Sequence, residues 1–511
     1  MTIRDPRQLY DWLQASRRDD YRGDEFRLAR CSGIAADSRR VEPGMLFAAI
    51  RGLTVDGHQF LPAVARQGAA AALVEVPDPA LDLPQFVVPD TPAALGEACR
   101  TFYATATPGL RYVAVTGTNG KTTTTGLAAH MLGAAGLRVG SVSTNGVRHP
   151  RLTSGHLDHT TPDTVSLHQL LARLIELGSD VILVETSSHA LVQQRVAGID
   201  FDVAAFTNLS HEHLDYHGTM EEYGAAKALL FAGLGPDARA VLNRDDAAYG
   251  QMARAGKAPI LDCSLTDTNA AVFLVPGSRR VTADVQHFAV QVEGRRLDIE
   301  LALPGLYNIA NCLTALGIVA ALGADVEQAA AAASSFPGAG GRMERVWGPV
   351  PCRTYIDFAH TTAALEASLG ALRETLAPGA RLHVLLSVRG ERERGKRADM
   401  GRVASELADR VVLTLKDTGN EPPQQILADT AAGFSGPAVI ETEANRPRAL
   451  RRLVMEARPG DVVMVLGLVG RDRMTLGDRL LLLDDAAALR LAGAEREMDL
   501  YLAGESRDGP G

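Results

Sequence analysis

Residues 113–125 read VAVTGTNGKTTTT, a β-branched run that enters a Gly-rich turn ending in Gly-Lys-Thr. Glycines in such a turn let backbone N–H groups face inward around phosphate oxygens. Within Gly117-Thr118-Asn119-Gly120-Lys121-Thr122-Thr123, the Lys121 ammonium would neutralise the outer phosphates and the Thr122 hydroxyl would reach Mg2+. A helix beginning after Thr122 would add the positive end of its dipole. The common phosphate-loop pattern asks for glycine five places before Gly120, where this chain has Val115. A GTPase or ordinary kinase therefore does not follow, and nothing resembles the guanine-reading Asn-Lys-x-Asp.

Three further places carry reactive residue types. VETSSHALVQQRV puts Glu185 at the end of an apolar run, where a carboxylate is costly unless it serves a metal or a partner. FTNLSHEHLDYHG gathers His211, His213 and His217 with Glu212 and Asp215 after another apolar run. A lone histidine is more often structural, but this density at a strand end points to metal or phosphate chemistry. GAAKALLF places Lys227 on an apolar helical segment, which taken alone reads as a lysine reaching out to solvent.

The elements that must position these residues are legible in the apolar pattern. The runs RYVAVTG, RVGSVST, DVILVETS, VAAFTNLS and RAVLN alternate with helical stretches, the signature of a mostly parallel sheet covered by helices. After a break at FPGAGGR (336–342), RTYIDFAH, RLHVLLSVRG, DRVVLTLKD, PAVIETE and DVVMVLGLVG repeat the alternation, as in a dinucleotide-type α/β fold. A Pro-Gly break at TATPGLRY precedes the phosphate loop. The reading is α/β with three domains, 1–108, 109–337 and 338–511, and a frayed polar tail from about Ala492. A length of 511 residues supports that number.

Composition fits. Hydrophobic residues make up 46% and charged residues 22%, as in a soluble globular protein. The net charge of −9 opposes broad nucleic-acid or membrane-surface binding but leaves room for a local basic site. Cys31, Cys99, Cys263, Cys312 and Cys352 are scattered without a CxxC, which favours reduced thiols over a disulfide framework or zinc site. The start MTIRDPRQLYDWLQ has no apolar signal core, and no 18-residue apolar span follows. A cytoplasmic protein, with no membrane or nucleic-acid partner, is the expectation.

In order and spacing, TGTNGKTTT, SSHALVQQRV, TNLSHEHLDYHG and AAKALLF resemble the central-domain signatures of the Mur ligases of peptidoglycan synthesis. ADSRRVEPGMLFAAIRGLTVDGHQF is similar to their UDP-sugar domain, and GLYNIANCLTA, GRMERV, DFAH and RGERERGKR are similar to their later motifs. The nearest branch is MurE, which adds the third amino acid to UDP-N-acetylmuramoyl-L-alanyl-D-glutamate. The resemblance implies an N-terminal UDP-sugar-binding domain, a central ATP-binding ligase domain and a C-terminal acceptor-binding domain. It implies an ATP-dependent amide ligase that works through an acyl phosphate, with two Mg2+ ions and cationic side chains crowding the anions together.

By matching position, Lys121 would stabilise the transferring phosphate, and Thr122 and Glu185 would hold the first Mg2+. His213 would bind the second, and Lys227 would carry a carbamate as an anionic ligand beside it. Asn308, Arg342 and Asp357 would contact the nucleotide. Ser38 would touch the uracil or diphosphate, and Thr160, Thr161, Ser187 and Arg195 would hold the muramoyl peptide. Domain closure would exclude water from the acyl phosphate.

The resemblance breaks at the acceptor. The family's D-N-P-R-x-E-x-P, whose arginine grips the incoming carboxylate, appears as LKDTGNEPP (415–423), with Gly419 in the arginine's place and Lys416 and Asp417 before it. Glycine cannot make that forked contact. G-K-G-H-E appears as GLVGR, with Arg471 where a glutamate would take a distal ammonium. DYAHTPDAL has become DFAHTTAAL, and Arg-Asp has become His211-Glu212. RGERERGKR matches the family's G-G-D-R-D-x-G-K-R, without revealing which arginine points inward. The expectation is an active, monomeric ligase of small-molecule substrates whose acceptor is not diaminopimelate or lysine bound in the usual way. Asp417, Asn420, Glu421 and Arg471 would line the acceptor site. Two alternatives stand beside it: a ligase recruited to specialised metabolism, and a degenerate nucleotide-binding protein without chemistry.

Overall fold

The computed structural model describes residues 31–52, 54–347, 352–391, 394–467, 473–476, 479–482 and 485–491. Arg471 and the tail from Ala492 lie outside them. The described residues fall into two compact units. One comprises residues up to Lys121, Leu132–Asp262 and Ala321–Ala324, and the other Thr122–Met131, Cys263–Ala320 and everything from Asp325.

The first unit contains two sheets. Strands Gly33–Ala35, Met45–Ala48, Ala71–Val74 and Gln85–Val87 pair in chain order, all parallel. Their alternate residues feed two apolar layers, one around Leu46, Leu73 and Phe102 and the other around Phe47, Val64 and Val74. The second sheet runs Arg239–Asn243, Val203–Phe206, Arg111–Thr116, Val181–Glu185, Val139–Ser143, parallel throughout, and ends in the antiparallel strands Gly146–His149 and Leu152–Thr153. Strands Arg111–Thr116 and Val181–Glu185 lie between neighbours with a face packed on each side, so they read as continuous apolar runs rather than as alternation. Tyr112, Ile182 and Val184 enter one layer, and Ala114, Ala204 and Phe206 the other.

In the second unit, Gln286–Val292 and Arg295–Leu301 form an antiparallel hairpin with Val272–Leu274 at its side. A six-stranded sheet has the order Glu344–Val346, Arg353–Asp357, Val462–Leu466, Leu382–Arg389, Arg410–Lys416, Val439–Thr442, and only the first pairing is antiparallel. All five strands expected in this region from sequence are present. Helices Thr362–Arg373, Gly395–Leu407, Pro423–Ala431 and Arg446–Met455 alternate with them. Arg446 is fully buried; its guanidinium donates to both oxygens of Asp485 (2.9 and 2.6 Å), to Ser387 Oγ (3.0 Å) and to the Leu466 carbonyl (2.9 Å). All five cysteines are free and buried. Among the described residues no helix is long and apolar enough to cross a membrane.

A buried histidine ties the first unit together. His168, on helix Thr164–Glu176, bonds the Ala197 carbonyl through Nε2 (2.9 Å) and Thr105 Oγ1 through Nδ1 (2.8 Å). With Nε2–H as donor, Nδ1 accepts from the threonine, so the neutral ring is fully satisfied. Burial depresses its pKa to about 4. The unfolded chain takes up this proton near the ordinary value of 6.5, so stability is lost as pH falls from there towards 4. We expect a loss of roughly 3 kcal/mol across that window, read from urea midpoints, and a smaller loss in His168→Gln.

Candidate active site

The phosphate loop sits where strand Arg111–Thr116 ends and helix Lys121–Ala134 begins. Gly117 leaves no room for a side chain, because a Cβ there would lie 1.9 Å from Thr207 Oγ1. That hydroxyl donates to the Asn119 carbonyl (2.6 Å). Asn208 completes the brace: its Oδ1 accepts from Asn119 N–H (2.9 Å), its Nδ2 donates to the Asn119 carbonyl (3.0 Å), and its carbonyl accepts from Thr118 N–H (2.8 Å). The loop is therefore held by the end of the adjacent strand, Val203–Phe206, as well as by its own turn.

Two amines meet on one oxygen. Lys121 Nζ donates to the Gly117 carbonyl (3.0 Å) and to Thr118 O (2.8 Å), and Lys227 Nζ donates to the same Gly117 oxygen (2.8 Å). Lys227 is 1% exposed on helix Met220–Ala232, against the face of Tyr223, so it does not reach solvent as the isolated segment suggested. Burial, and then the Lys121 charge, push its pKa well below the ordinary value, opposed weakly by Glu212. A buried amine that favours the neutral form is a nucleophile for CO2 and a poor permanent cation.

Glu185, also 1% exposed, closes strand Val181–Glu185. Its Oε2 accepts from Thr144 N–H (3.0 Å) and lies 3.2 Å from the Thr144 hydroxyl, which is itself 3.2 Å from Thr160 Oγ1. Thr161 Oγ1 donates to the Glu185 carbonyl (2.9 Å) and accepts from Ser187 N–H (3.0 Å), while Arg195 donates to Thr161 O (2.9 Å). The structure thus brings Glu185, Thr160, Thr161, Ser187 and Arg195 into one network. Ser38 stands apart at the start of the short helix Ser38–Arg40, on the N-terminal sheet.

His213 adopts a left-handed backbone (φ 58°) at the start of helix Leu214–His217. Its ring packs edge-on against His189 at 4.9 Å between centroids and against Tyr223 at 6.0 Å. Burial foremost, against the opposing Glu212 charge, lowers the pKa of His213, and burial brings that of His189 to about 4. Both rings are neutral near pH 7, the form that ligates metal. Glu185 offers the hard oxygen that Mg2+ prefers. Thr207, Asn208, Thr144, Tyr223 and His189 were not singled out from sequence; the Thr-Asn pair directly after a strand was the available signal for the first two.

In the second unit, Thr122 and Thr123 are buried, and Thr124 Oγ1 lies 3.4 Å from Asn311 Oδ1. Asn311 donates to Asn308 Oδ1 (3.0 Å), and Asn308 to the Pro304 carbonyl (2.8 Å). Asp357 accepts from the Met343 and Ala359 N–H groups (2.7 and 2.8 Å), and Arg342 lies over the Phe358 ring at 4.7 Å. Of the acceptor-loop residues, Glu421 is gripped by Arg397 (2.8 and 2.6 Å), Arg394 (3.1 Å) and Glu391 N–H (3.0 Å), which holds its pKa near 2. Among the described arginines of RGERERGKR, Arg397, 1% exposed, is the one turned inward. Asp417 pairs with Arg389 (2.6 Å), and Asn420 donates to Glu391 Oε1 through its backbone and side chain (both 3.0 Å).

Lys227→Met tests the electrostatic reading. The unfolded lysine is protonated up to about 10.5 while the folded amine sheds its proton lower, so wild-type stability rises with pH in that interval. The variant is expected to be more stable at pH 7 by roughly 1–4 kcal/mol, and its advantage to narrow by up to about 1.4 kcal/mol per pH unit towards pH 9.5. Denaturant titrations at several pH values check this.

Comparison with known proteins gives three matches along the chain: the Mur ligase family catalytic domain over residues 30–103, the Mur ligase middle domain over 115–319, and the Mur ligase glutamate ligase domain over 341–468. A UDP-N-acetylmuramoyl-L-alanyl-D-glutamate–2,6-diaminopimelate ligase of Chlorobaculum tepidum is 40% identical over 87% of this chain and 89% of its own length. A UDP-N-acetylmuramyl-tripeptide synthetase of Deinococcus radiodurans is 37% identical over 91% of this chain and 95% of its own. A solved structure of a UDP-N-acetylmuramoyl-L-alanyl-D-glutamate–2,6-diaminopimelate ligase superposes with a TM-score of 0.71 at 28% identity, covering 97% of this chain and all of that one.

Proposed function

Because the chain belongs to the Mur ligase family, ATP-dependent and ADP-forming amide ligases, we propose that it extends a UDP-N-acetylmuramoyl-dipeptide by one amino acid through an acyl phosphate. The convergence of Lys121 and Lys227 on the Gly117 carbonyl, beside a braced glycine loop, carries the reading. A substrate carboxylate oxygen attacks the γ-phosphorus of ATP and ADP leaves. The acceptor's amine then attacks the acyl carbon, inorganic phosphate departs, and the amine loses a proton to give the amide. The loop N–H groups and Lys121 hold the phosphoryl oxygens as negative charge moves onto the leaving ADP. Glu185 and Thr122 would hold Mg2+, with His213 at a second ion; bound there, Mg2+ would draw charge from the phosphate oxygens. Asn308, Arg342 and Asp357 serve the nucleotide, and Thr160, Thr161, Ser187 and Arg195 the peptide-bearing substrate, with Ser38 at its nucleotide end.

Lys227, buried and with its pKa driven below the ordinary lysine value, suits conversion to a carbamate, which would place an anion beside His213. The acceptor side differs from the family pattern. Gly419 has φ +57°, a backbone conformation L side chains rarely adopt, and a Cβ there would fall 2.3 Å from Glu391 Oε2, so an arginine at this position would be strained and would require the Glu391 side chain to move. This supports an acceptor bound otherwise than in the family's usual mode, whether in cell-wall synthesis or in a recruited pathway.

ADP release should require a carboxylate and an amine together. A matrix of UDP-N-acetylmuramoyl-L-alanyl-D-glutamate and other acids against an amino-acid panel, with product masses, identifies both substrates. ADP release with no acid–amine pair at all would defeat the ligase reading, and turnover with diaminopimelate alone would defeat the altered acceptor. Lys121→Ala is expected to lower kcat about 100- to 1000-fold, and 13C-bicarbonate should give a carbamate carbon resonance in the wild type that is absent from Lys227→Met.

A further inference from the structure

We propose that Tyr223 is a positioning residue that fixes the phosphate loop and Lys227 relative to one another, an assignment that rests on the ligase reading above. The side chain is 1% exposed on helix Met220–Ala232, four residues before Lys227, so both project from one face of that helix. The start of the helix is set by a reciprocal cap: Thr219 Oγ1 accepts from Glu222 N–H (3.2 Å), and Glu222 Oε2 accepts from Thr219 N–H (3.1 Å). The first turn then closes from Tyr223 N–H to the Thr219 carbonyl (3.0 Å).

The hydroxyl reaches the phosphate loop. Thr118 Oγ1 accepts from Ser210 N–H (3.0 Å), donates to the Ser210 carbonyl (3.3 Å) and lies 3.1 Å from Tyr223 Oη. A hydroxyl has one proton and two lone pairs. With the Thr118 proton on the Ser210 carbonyl, which can only accept, its remaining lone pair takes the Tyr223 proton and each group has a partner. Ser210 lies three residues before His213. Tyr223 therefore joins three segments: the phosphate loop, the loop after strand Val203–Phe206, and the helix that carries Lys227.

The ring holds the amine. Lys227 Nζ lies 4.5 Å from the Tyr223 centroid while it donates to the Gly117 carbonyl (2.8 Å). An N–H can meet an oxygen and a ring face without carrying a charge, so this placement survives loss of the ammonium proton. The ring is itself packed in: His217 stacks on it at 5.0 Å, with Nε2 2.9 Å from Ser188 Oγ, and His213 meets it edge-on at 6.0 Å. One side chain thus sets the separation between Thr118, on the loop, and Lys227, beside it, through two different groups. Those two groups can be removed one at a time.

The test titrates the full chain with ADP and Mg2+ by calorimetry, which needs no turnover. Tyr223→Phe keeps the ring and removes the bridge; Thr118→Val removes the bridge from its other end. Each should weaken ADP binding about five- to tenfold, and the double variant no further than the weaker single one. In turnover, Tyr223→Phe should raise the KM for ATP and leave that for the UDP substrate within about twofold. Tyr223→Leu, or Tyr223→Met if that misfolds, removes the ring as well. At fixed 13C-bicarbonate it should lose the carbamate resonance that Tyr223→Phe keeps, in which the Lys227 nitrogen has bonded the CO2 carbon and given a proton to water. Unchanged ADP affinity in Tyr223→Phe, or losses that add in the double variant, overturn the bridge; the first result suffices if Thr118→Val misfolds. Equal resonances with and without the ring overturn the ring's part, and a wild type with no resonance overturns the carbamate reading and that part with it. A wild type that shows the expected ADP losses but never releases ADP from ATP with any acid–amine pair overturns the ligase reading alone.

Discussion

Lys121 and Lys227 bring two amines onto the single carbonyl oxygen of Gly117, and most of the first unit serves to keep them there. Like charges held so close repel, the more so because Lys227 is buried. One resolution is to surrender a proton, which is the direction in which Lys227 is driven. The other is to receive anions. On the proposed reading, those anions are the β- and γ-phosphates and the carboxylate that attacks them. At Glu185 the carboxylate accepts from the Thr144 backbone and hydroxyl.

Both units use the same architectural device. Gly117, Thr144, Glu185 and Asn208 follow or close parallel strands of the first unit's larger sheet, and Asp357, Arg389, Lys416 and Gly467 do so in the second unit's sheet. Strands with both faces covered by helices supply rigid bases, while the loops beyond their ends can change without disturbing the layers of Val, Leu and Ala beneath.

The strands were plain in the sequence because each is a short apolar run bounded by turn residues, and RYVAVTG and DVILVETS end where predicted. Glu185 stood out because a carboxylate closing such a run is unusual. The hairpin Gln286–Val292 with Arg295–Leu301 was not read, since its mixed polar and apolar residues lack a buried run on both faces. Thr144, Asn208 and Tyr223 are ordinary polar residues whose importance comes from partners 41, 89 and 105 positions away, a separation that no local pattern records. Glu421 shows the converse. Its motif position suggested substrate; its carboxylate also braces Arg397, a partner 24 positions away that the sequence does not point to.

The five buried thiols have a practical side. Burial pushes Cys31, Cys99 and Cys352 above the usual thiol range and Cys312 to about 12, so thiolate is scarce in the folded chain. Alkylating reagents then react only when a segment opens. With Cys31 and Cys99 in one unit and Cys263, Cys312 and Cys352 in the other, peptide-resolved labelling reads the two opening equilibria separately, from reporters already built into the native chain.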